Sequence, residues 1–308
     1  MPKPALTLPP QLSVTTHAGP LASHEALRIR TGHGEATLAW HGAHLLSWRP
    51  SGQREVFWVS PESKPDPAAI RGGVPVCWPW FSKQGQSADA AQHGPARNHP
   101  WHITAVHHSS EDEVSLSLEP VAQANGDLPW EGVPPGLRVS MTLTLGATLR
   151  QTLETRNEGA GQFTLSNALH SYYAVSDARN ISIEGLAGLP YTDRLRALER
   201  DVQREPFKLN QACDRTYEQT QGLNAPAQHC YELVDEGWQR RIRIDVSGSR
   251  SVVVWNPGSE NARNMPDVPD DGWPGFFCIE ACNAGPDVIV LEPGHTHRIT
   301  QVLSVLAL

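Results

Sequence analysis

A chain of 308 residues can bury a sizeable core, and its length allows either about two domains or one large all-β unit. Its 25 basic and 33 acidic residues leave a net charge of -8 with no lysine- or arginine-rich run, so no nucleic acid and no membrane is expected as partner, and any bound anion must be caught by local arginines. No run of 18 or more apolar residues occurs, and Met1-Pro2-Lys3-Pro4-Ala5-Leu6 leads into mixed polar sequence rather than an apolar signal core, so a soluble, cytoplasmic protein is expected.

The first informative stretch is Arg71-Gly72-Gly73-Val74-Pro75-Val76-Cys77-Trp78-Pro79-Trp80-Phe81, followed by Gln92-His93-Gly94-Pro95-Ala96-Arg97-Asn98. Glycines beside an arginine let backbone approach a ligand closely, prolines stiffen the loop, and indole rings offer flat faces on which a sugar ring can stack. Such a loop suits a compact anionic ligand; surface salt bridges and core-filling tryptophans are the plainer alternative. Next, His107 and His108 are adjacent, face opposite sides of a strand and cannot share a metal. Val114, Leu116 and Leu118 alternate with serines, and Val139, Met141, Leu143 and Leu145 alternate with Ser140, Thr142 and Thr144. Period two predicts half-buried antiparallel strands.

His170 closes an apolar run, Asn167-Ala168-Leu169-His170-Ser171-Tyr172-Tyr173. Leu195, Leu198 and Val202 recur at helical spacing and predict a short helix over Asp193 to Arg204. Ile242, Ile244 and Val246 alternate with Arg241, Arg243 and Asp245, while the denser runs Ser251 to Trp255 and Asp287 to Leu291 predict strands buried on both faces. Glu280 sits in an almost wholly apolar strand, Phe276-Phe277-Cys278-Ile279-Glu280-Ala281-Cys282. Burying an ionised glutamate is costly unless it is paired or poised for chemistry, and burial raises its pKa toward the range useful for proton transfer. A salt bridge to one arginine explains Glu280 equally well; with His170, it also offers an acid and a base near neutral pH.

His295-Thr296-His297 places two imidazoles on one strand face and is similar to the metal-binding loop of a cupin barrel. No suitably spaced carboxylate or third histidine follows, so no metal is expected. Cys77, Cys213, Cys230, Cys278 and Cys282 lie scattered without a CxxC pair, which suits a reducing cytosol. A βαβ alternation, a phosphate-cradling glycine motif and an internal repeat are all missing. The expected fold is therefore all-β: two large stacked, mainly antiparallel sheets in one domain over residues 1–308, with about 1–25 as an N-terminal extension.

The stretch Arg71 to Phe81, His93-Gly94, Ala96-Arg97-Asn98, Leu169-His170-Ser171-Tyr172-Tyr173, Asp214-Arg215-Thr216-Tyr217, Val254-Trp255-Asn256-Pro257-Gly258 and Cys278-Ile279-Glu280-Ala281 resemble, in order, the motifs of the hexose-6-phosphate mutarotases. These glucose-6-phosphate 1-epimerases are a branch of the aldose 1-epimerase family, and the resemblance runs from about residue 35 to the C-terminus. It implies a galactose-mutarotase-like β-sandwich that interconverts the α and β anomers of a small-molecule sugar phosphate, with no metal and no cofactor. Matched by motif, Glu280 stands as the base at the anomeric hydroxyl and His170 as the acid at the ring oxygen. Arg71 and Arg97 stand as the phosphate-holding arginines, Gln92 and His93 beside the sugar, and Asp193 as a hydroxyl-binding aspartate whose plainer reading is a loop cap. Pro95 replaces an aromatic residue usual in the family, which bears on sugar preference; Ser171 and Tyr173 replace a threonine and a phenylalanine. A monomer is expected. Three other readings stay open: an aldose 1-epimerase for unphosphorylated sugars, a non-catalytic carbohydrate-binding sandwich, and a cupin-like metal enzyme using His295 and His297.

Overall fold

Alternation of apolar and polar side chains builds the sheets. Leu137–Leu145 buries Leu137, Val139, Met141, Leu143 and Leu145 and leaves the residues between them half-buried, as period two requires. The computed structural model describes residues 8–16, 21, 25–64, 68–219 and 228–308; Met1 to Leu6 lie outside the described residues.

Two eight-stranded antiparallel sheets stack on each other. The back sheet runs Ile181–Glu184, Gln228–Asp235, Arg240–Ser247, Thr296–Ala307, Leu149–Asn157, Leu137–Leu145, Val114–Pro120 and Trp101–Ser109. The front sheet runs Glu199–Val202, Pro190–Asp193, Cys213–Glu218, Ser251–Asn256, Phe276–Asn283, Asn167–Leu169 and Val76–Cys77, and Tyr172–Ala174 also pairs with Phe276–Asn283. Leu143, Leu153, Ile242 and Ile299 from the back sheet meet Val252, Val254, Phe277 and Ile279 from the front sheet in one core. Each such side chain contributes about 1.5–3 kcal/mol through burial. A smaller four-stranded sheet holds Leu12–Thr16, Glu25–Thr31, Gly34–Ala39 and His44–Pro50, so part of the expected N-terminal extension is built into the fold.

Two sequence expectations are corrected. Asp193 to Arg204 is a hairpin, not a helix: Pro190–Asp193 pairs with Glu199–Val202 across a turn of 3₁₀ helix, Arg194–Arg196, closed by Ala197 and Leu198 at φ of 51° and 64°. Leu195 and Leu198 are 50% and 63% exposed, so the apolar stripe of the supposed helix has nothing to pack against, and pairing with the sheet prevails. Asp287 to Leu291 is not a doubly buried strand. Only Ile289–Leu291 is extended, it pairs with the three-residue strand Phe163–Leu165, and Val290 is 52% exposed.

Arg240 occupies an inward position of its strand and is fully buried. Its Nη2 donates to the Ala174 carbonyl at 2.6 Å and its Nη1 to the Glu55 carbonyl at 3.0 Å, tying the back sheet to a strand of the front sheet and to a loop. Arg240→Met orphans both carbonyls and is expected to cost about 2–3 kcal/mol. Urea unfolding should show a lower midpoint with an unchanged slope; a midpoint equal to wild type would mean that the carbonyls find other donors.

Candidate active site

The strand Phe276–Asn283 sorts its side chains by parity. Phe277, Ile279 and Ala281 enter the main core, which leaves Cys278, Glu280 and Cys282 on the outer face of the front sheet. The neighbouring strands follow the same rule. Val253 pairs with Glu280, Trp255 with Cys278 and Asp214 with Trp255, so Asp214, Trp255, Val253 and Glu280 share that face. On the other side Leu169 pairs with Ala281 and Tyr172 with Cys278. The ladder breaks between them, yet the unchanged register leaves His170 across from Glu280. Its backbone N–H instead donates to the Pro75 carbonyl at 3.1 Å.

Above this face lies a cavity of about 250 Å³ lined by Arg71, Phe81, Gln92, His93, Arg97, His170, Tyr172, Arg194, Asp214, Val253, Trp255 and Glu280. Size does not single it out. A hollow of about 470 Å³ beside Arg30 and Arg49 is roomier, but both arginines are exposed. The distinguishing feature is a buried acid–base contact: His170 Nε2 lies 3.3 Å from Glu280 Oε1, with both residues almost wholly shielded from solvent. Glu280 Oε2 has no hydrogen-bond partner among the described residues, an expensive state for a structural carboxylate and a useful one for a group that must accept a proton.

Electrostatics pushes the two partners toward each other. Burial, and then the nearby Asp214, hold the Glu280 pKa well above the usual carboxylate range, against the pull of Arg194 and Arg97. Burial, then Arg97 and Arg71, hold the His170 pKa well below 6.5. The pair is thus set to hold one proton between an imidazole and a carboxylate.

The other walls supply donors and apolar faces. Tyr172 stacks on His170 with ring centroids 4.9 Å apart and planes 12° apart, and Trp255 stands edge-on to both. His93 accepts from the Ser82 N–H through Nδ1 at 3.1 Å, and burial followed by Arg97 keeps its pKa well below 6.5. A neutral His93 with Nδ1 as acceptor carries its proton on Nε2. Gly94 must be glycine: at φ 72° a Cβ would meet the Trp78 carbonyl oxygen at 2.0 Å.

The arginines differ in their surroundings. Arg71 Nε donates to Asp267 at 3.0 Å and Nη1 to the Tyr172 hydroxyl at 2.8 Å. Desolvation works against its charge, but Tyr172 and Asp267 outweigh it and its pKa is raised. The His44 ring, hydrogen-bonded to the Gly72 carbonyl at 2.6 Å, braces the same turn. Arg97 donates to the Gln92 carbonyl at 2.8 Å, and no carboxylate lies within ion-pair distance of it among the described residues. Desolvation lowers its pKa, and its Nε is buried without a partner.

Of the residues picked from sequence, the structure brings Arg71, Gln92, His93, Arg97, His170 and Glu280 together. Asp193 is elsewhere: its Oδ2 accepts from Arg215 Nε at 3.0 Å and its Oδ1 from the Leu195 N–H at 3.0 Å, which is the loop-cap reading. Asp214 and Arg194 occupy the wall instead, and with Phe81, Tyr172, Val253 and Trp255 they were missed. The signal was available in the parity of the strands, since Asp214 and Trp255 fall in the quoted motifs. Trp78 and Trp80 do not line the cavity. Trp78 Nε1 donates to Thr155 Oγ1 at 2.9 Å and Trp80 Nε1 to the Ala91 carbonyl at 2.7 Å, supporting the loop from beneath. Pro95 also faces away, into a second hollow with Trp80 and Trp130. His297 Nε2 bonds to Asn283 Oδ1 at 2.8 Å, and burial lowers its pKa to about 4, whereas His295 is exposed. No group of three or more His, Cys, Asp or Glu that could hold a metal ion occurs among the described residues.

A sandwich of two large stacked antiparallel sheets is the galactose-mutarotase-like fold. The sequence model of the family described as aldose 1-epimerase matches residues 25–304, and the chain belongs to that family of isomerases. It is 35% identical over 265 residues to a protein of Escherichia coli K12 provisionally named glucose-6-phosphate 1-epimerase, covering 85% of this chain and 84% of that one. A protein of the same provisional name from Cenchrus ciliaris is 28% identical over 285 residues, covering 88% and 81%. Among solved structures, one provisionally described as a mutarotase from Salmonella typhimurium superposes with a TM-score of 0.84 at 28% identity, covering 98% of this chain and 96% of that one.

Proposed function

We propose that this chain interconverts the α and β anomers of an aldohexose 6-phosphate. The observation that carries the reading is Arg97, a half-buried guanidinium whose Nε is buried without a partner and which has no carboxylate within ion-pair distance among the described residues, beside the His170–Glu280 contact. A partly desolvated cation in this state calls for an anion, and a phosphate accepts hydrogen bonds from guanidinium groups in matching geometry. A neutral sugar has no such need. The curated relatives' names point to the same substrate class.

In this reading Glu280 takes the proton from the anomeric hydroxyl while His170 gives one to the ring oxygen. The bond between the anomeric carbon and the ring oxygen breaks, leaving an aldehyde and a free hydroxyl. Rotation about the adjoining carbon–carbon bond presents the other aldehyde face. Reclosure returns a proton from the hydroxyl to His170 and another from Glu280 to the former carbonyl oxygen, so the enzyme ends as it began. Phosphate, ring oxygen and anomeric hydroxyl follow one another along the sugar, matching the arginines, His170 and Glu280 in that order. His93 Nε2–H supplies a further donor, and Trp255 and Tyr172 supply apolar faces. The five cysteines are free thiols, which supports placing this activity in the cytoplasm; we also take the active form to be a monomer.

Magnetisation-exchange NMR on glucose 6-phosphate, with glucose as control, tests the proposal. Faster exchange of the phosphorylated sugar supports it. Equal acceleration of both sugars would favour an aldose epimerase for neutral substrates, and no acceleration of either would leave a sugar-binding sandwich. Asp267 serves as the brace of Arg71: Asp267→Asn is expected to raise KM for the sugar phosphate about 3- to 10-fold with kcat little changed, the size of one charge-assisted hydrogen bond loosened.

A further inference from the structure

We propose that the phosphate-class dianion held by Arg71 and Arg97 activates the acid–base pair as well as anchoring the sugar, so that a separate inorganic dianion can take its place when the sugar carries no phosphate. The proposal rests on the hexose 6-phosphate reading above. Its geometric basis is a short chain of contacts from arginine to acid. Arg71 Nη1 is bonded to the Tyr172 hydroxyl at 2.8 Å, and the Tyr172 ring lies flat on His170 at 4.9 Å. Arg97 lines the same cavity with no carboxylate within ion-pair distance of it among the described residues.

The groups that face His170 come from several elements. Glu280 lies across the sheet, Tyr172 follows in the chain, Trp255 stands on the next strand and His93 on the loop above. Arg71 and Arg97 project from the arginine loops, and His44 adds a weaker influence from behind. After burial itself, the two arginines are the main obstacle to a charge on the imidazole. Glu280 faces a different set. Asp214 and Arg194 act on it most after burial, Arg97 follows, and Arg71 has no comparable hold.

This asymmetry decides where the shared proton sits. In the empty site two guanidiniums oppose an imidazolium, and the proton is kept on the glutamate side. A dianion between the arginines cancels their field, which reaches His170 from both guanidiniums and Glu280 from Arg97, behind Asp214 and Arg194. The proton then moves to His170, leaving an imidazolium to act on the ring oxygen and a carboxylate to act on the anomeric hydroxyl. Substrate binding itself thereby sets the working protonation states, and a sugar without a phosphate meets the pair in the wrong ones.

Sulfate is the suitable free probe, because it is a dianion too weakly basic to catalyse mutarotation on its own. At constant ionic strength, sulfate should compete with glucose 6-phosphate and raise kcat for glucose saturably by about tenfold or more, as expected for one positioned group brought into its active state. A direct readout is the pH titration of the His170 imidazole by NMR, with 1,5-anhydroglucitol 6-phosphate bound and with 1,5-anhydroglucitol bound. These analogues lack the anomeric hydroxyl and do not turn over. The midpoint should be higher with the phosphate-bearing analogue. A midpoint that is unmoved or lower overturns the proposal, as does sulfate that occupies the site without raising glucose turnover, while glucose 6-phosphate turnover would still support the underlying reading. Failure of the enzyme to act on glucose 6-phosphate removes that reading, and this proposal with it.

Discussion

Glu280→Gln is expected to lower kcat by about 10³-fold or more, because it removes a positioned base while keeping nearly the same shape. The same substitution should make the fold more stable at pH 8. Burial and Asp214 raise the Glu280 pKa in the fold well above its ordinary 4.5. The folded chain therefore holds a proton that the unfolded chain releases. The penalty is absent below about pH 4.5 and grows as the pH rises toward the folded-state pKa, about 1.4 kcal/mol for each tenfold difference in proton affinity. Glutamine carries no such penalty. Activity and thermal melting, measured on the same preparation at pH 5 and pH 8, check both halves. A variant that keeps wild-type turnover removes Glu280 from the chemistry; one that melts earlier at pH 8 means the carboxylate is stabilised by a partner.

Arg97→Ala should raise KM for the sugar phosphate about 30- to 100-fold, equivalent to about 2–3 kcal/mol of charge-assisted hydrogen bonding. Discrimination between phosphorylated and unphosphorylated sugar should fall by a similar factor. Removing this guanidinium from a protein with no bound anion should not hurt the fold, because the half-buried Arg97 has its Nε buried without a partner and its pKa pulled down by desolvation. Michaelis constants for both sugars, with a melting curve as control, decide the matter. An unchanged KM for the sugar phosphate would take Arg97 out of the phosphate site.

Much of this arrangement was legible in the chain because period two is a strong signal. Leu137–Leu145 and Arg240–Ser247 show it cleanly, and Glu280 stands out as the one charge in an apolar strand. The ordered motifs added His170 and the two arginines. What stayed hidden is what depends on partners distant in sequence. Leu195, Leu198 and Val202 carry helical spacing, yet the edge of the front sheet offers hydrogen bonds that outweigh it, and the three side chains end up exposed. Asp193 and Asp214 are both aspartates in plausible motifs; only the pairing of Asp214 with Trp255, and of Asp193 with Arg215, tells which one faces the cavity. The Trp78 and Trp80 rings were visible as aromatics but not as pillars beneath a loop.

His170 and Glu280 occupy facing rungs of one sheet, whereas Arg71, Gln92, His93 and Arg97 ride on the connections above it. The reacting groups are therefore spaced by the pleat, which tolerates few changes, and the groups that choose the ligand are spaced by loops, which tolerate many. Such a division lets selection or a designer exchange the head group a sugar carries, by trading the arginine loops, without re-engineering the proton transfers underneath.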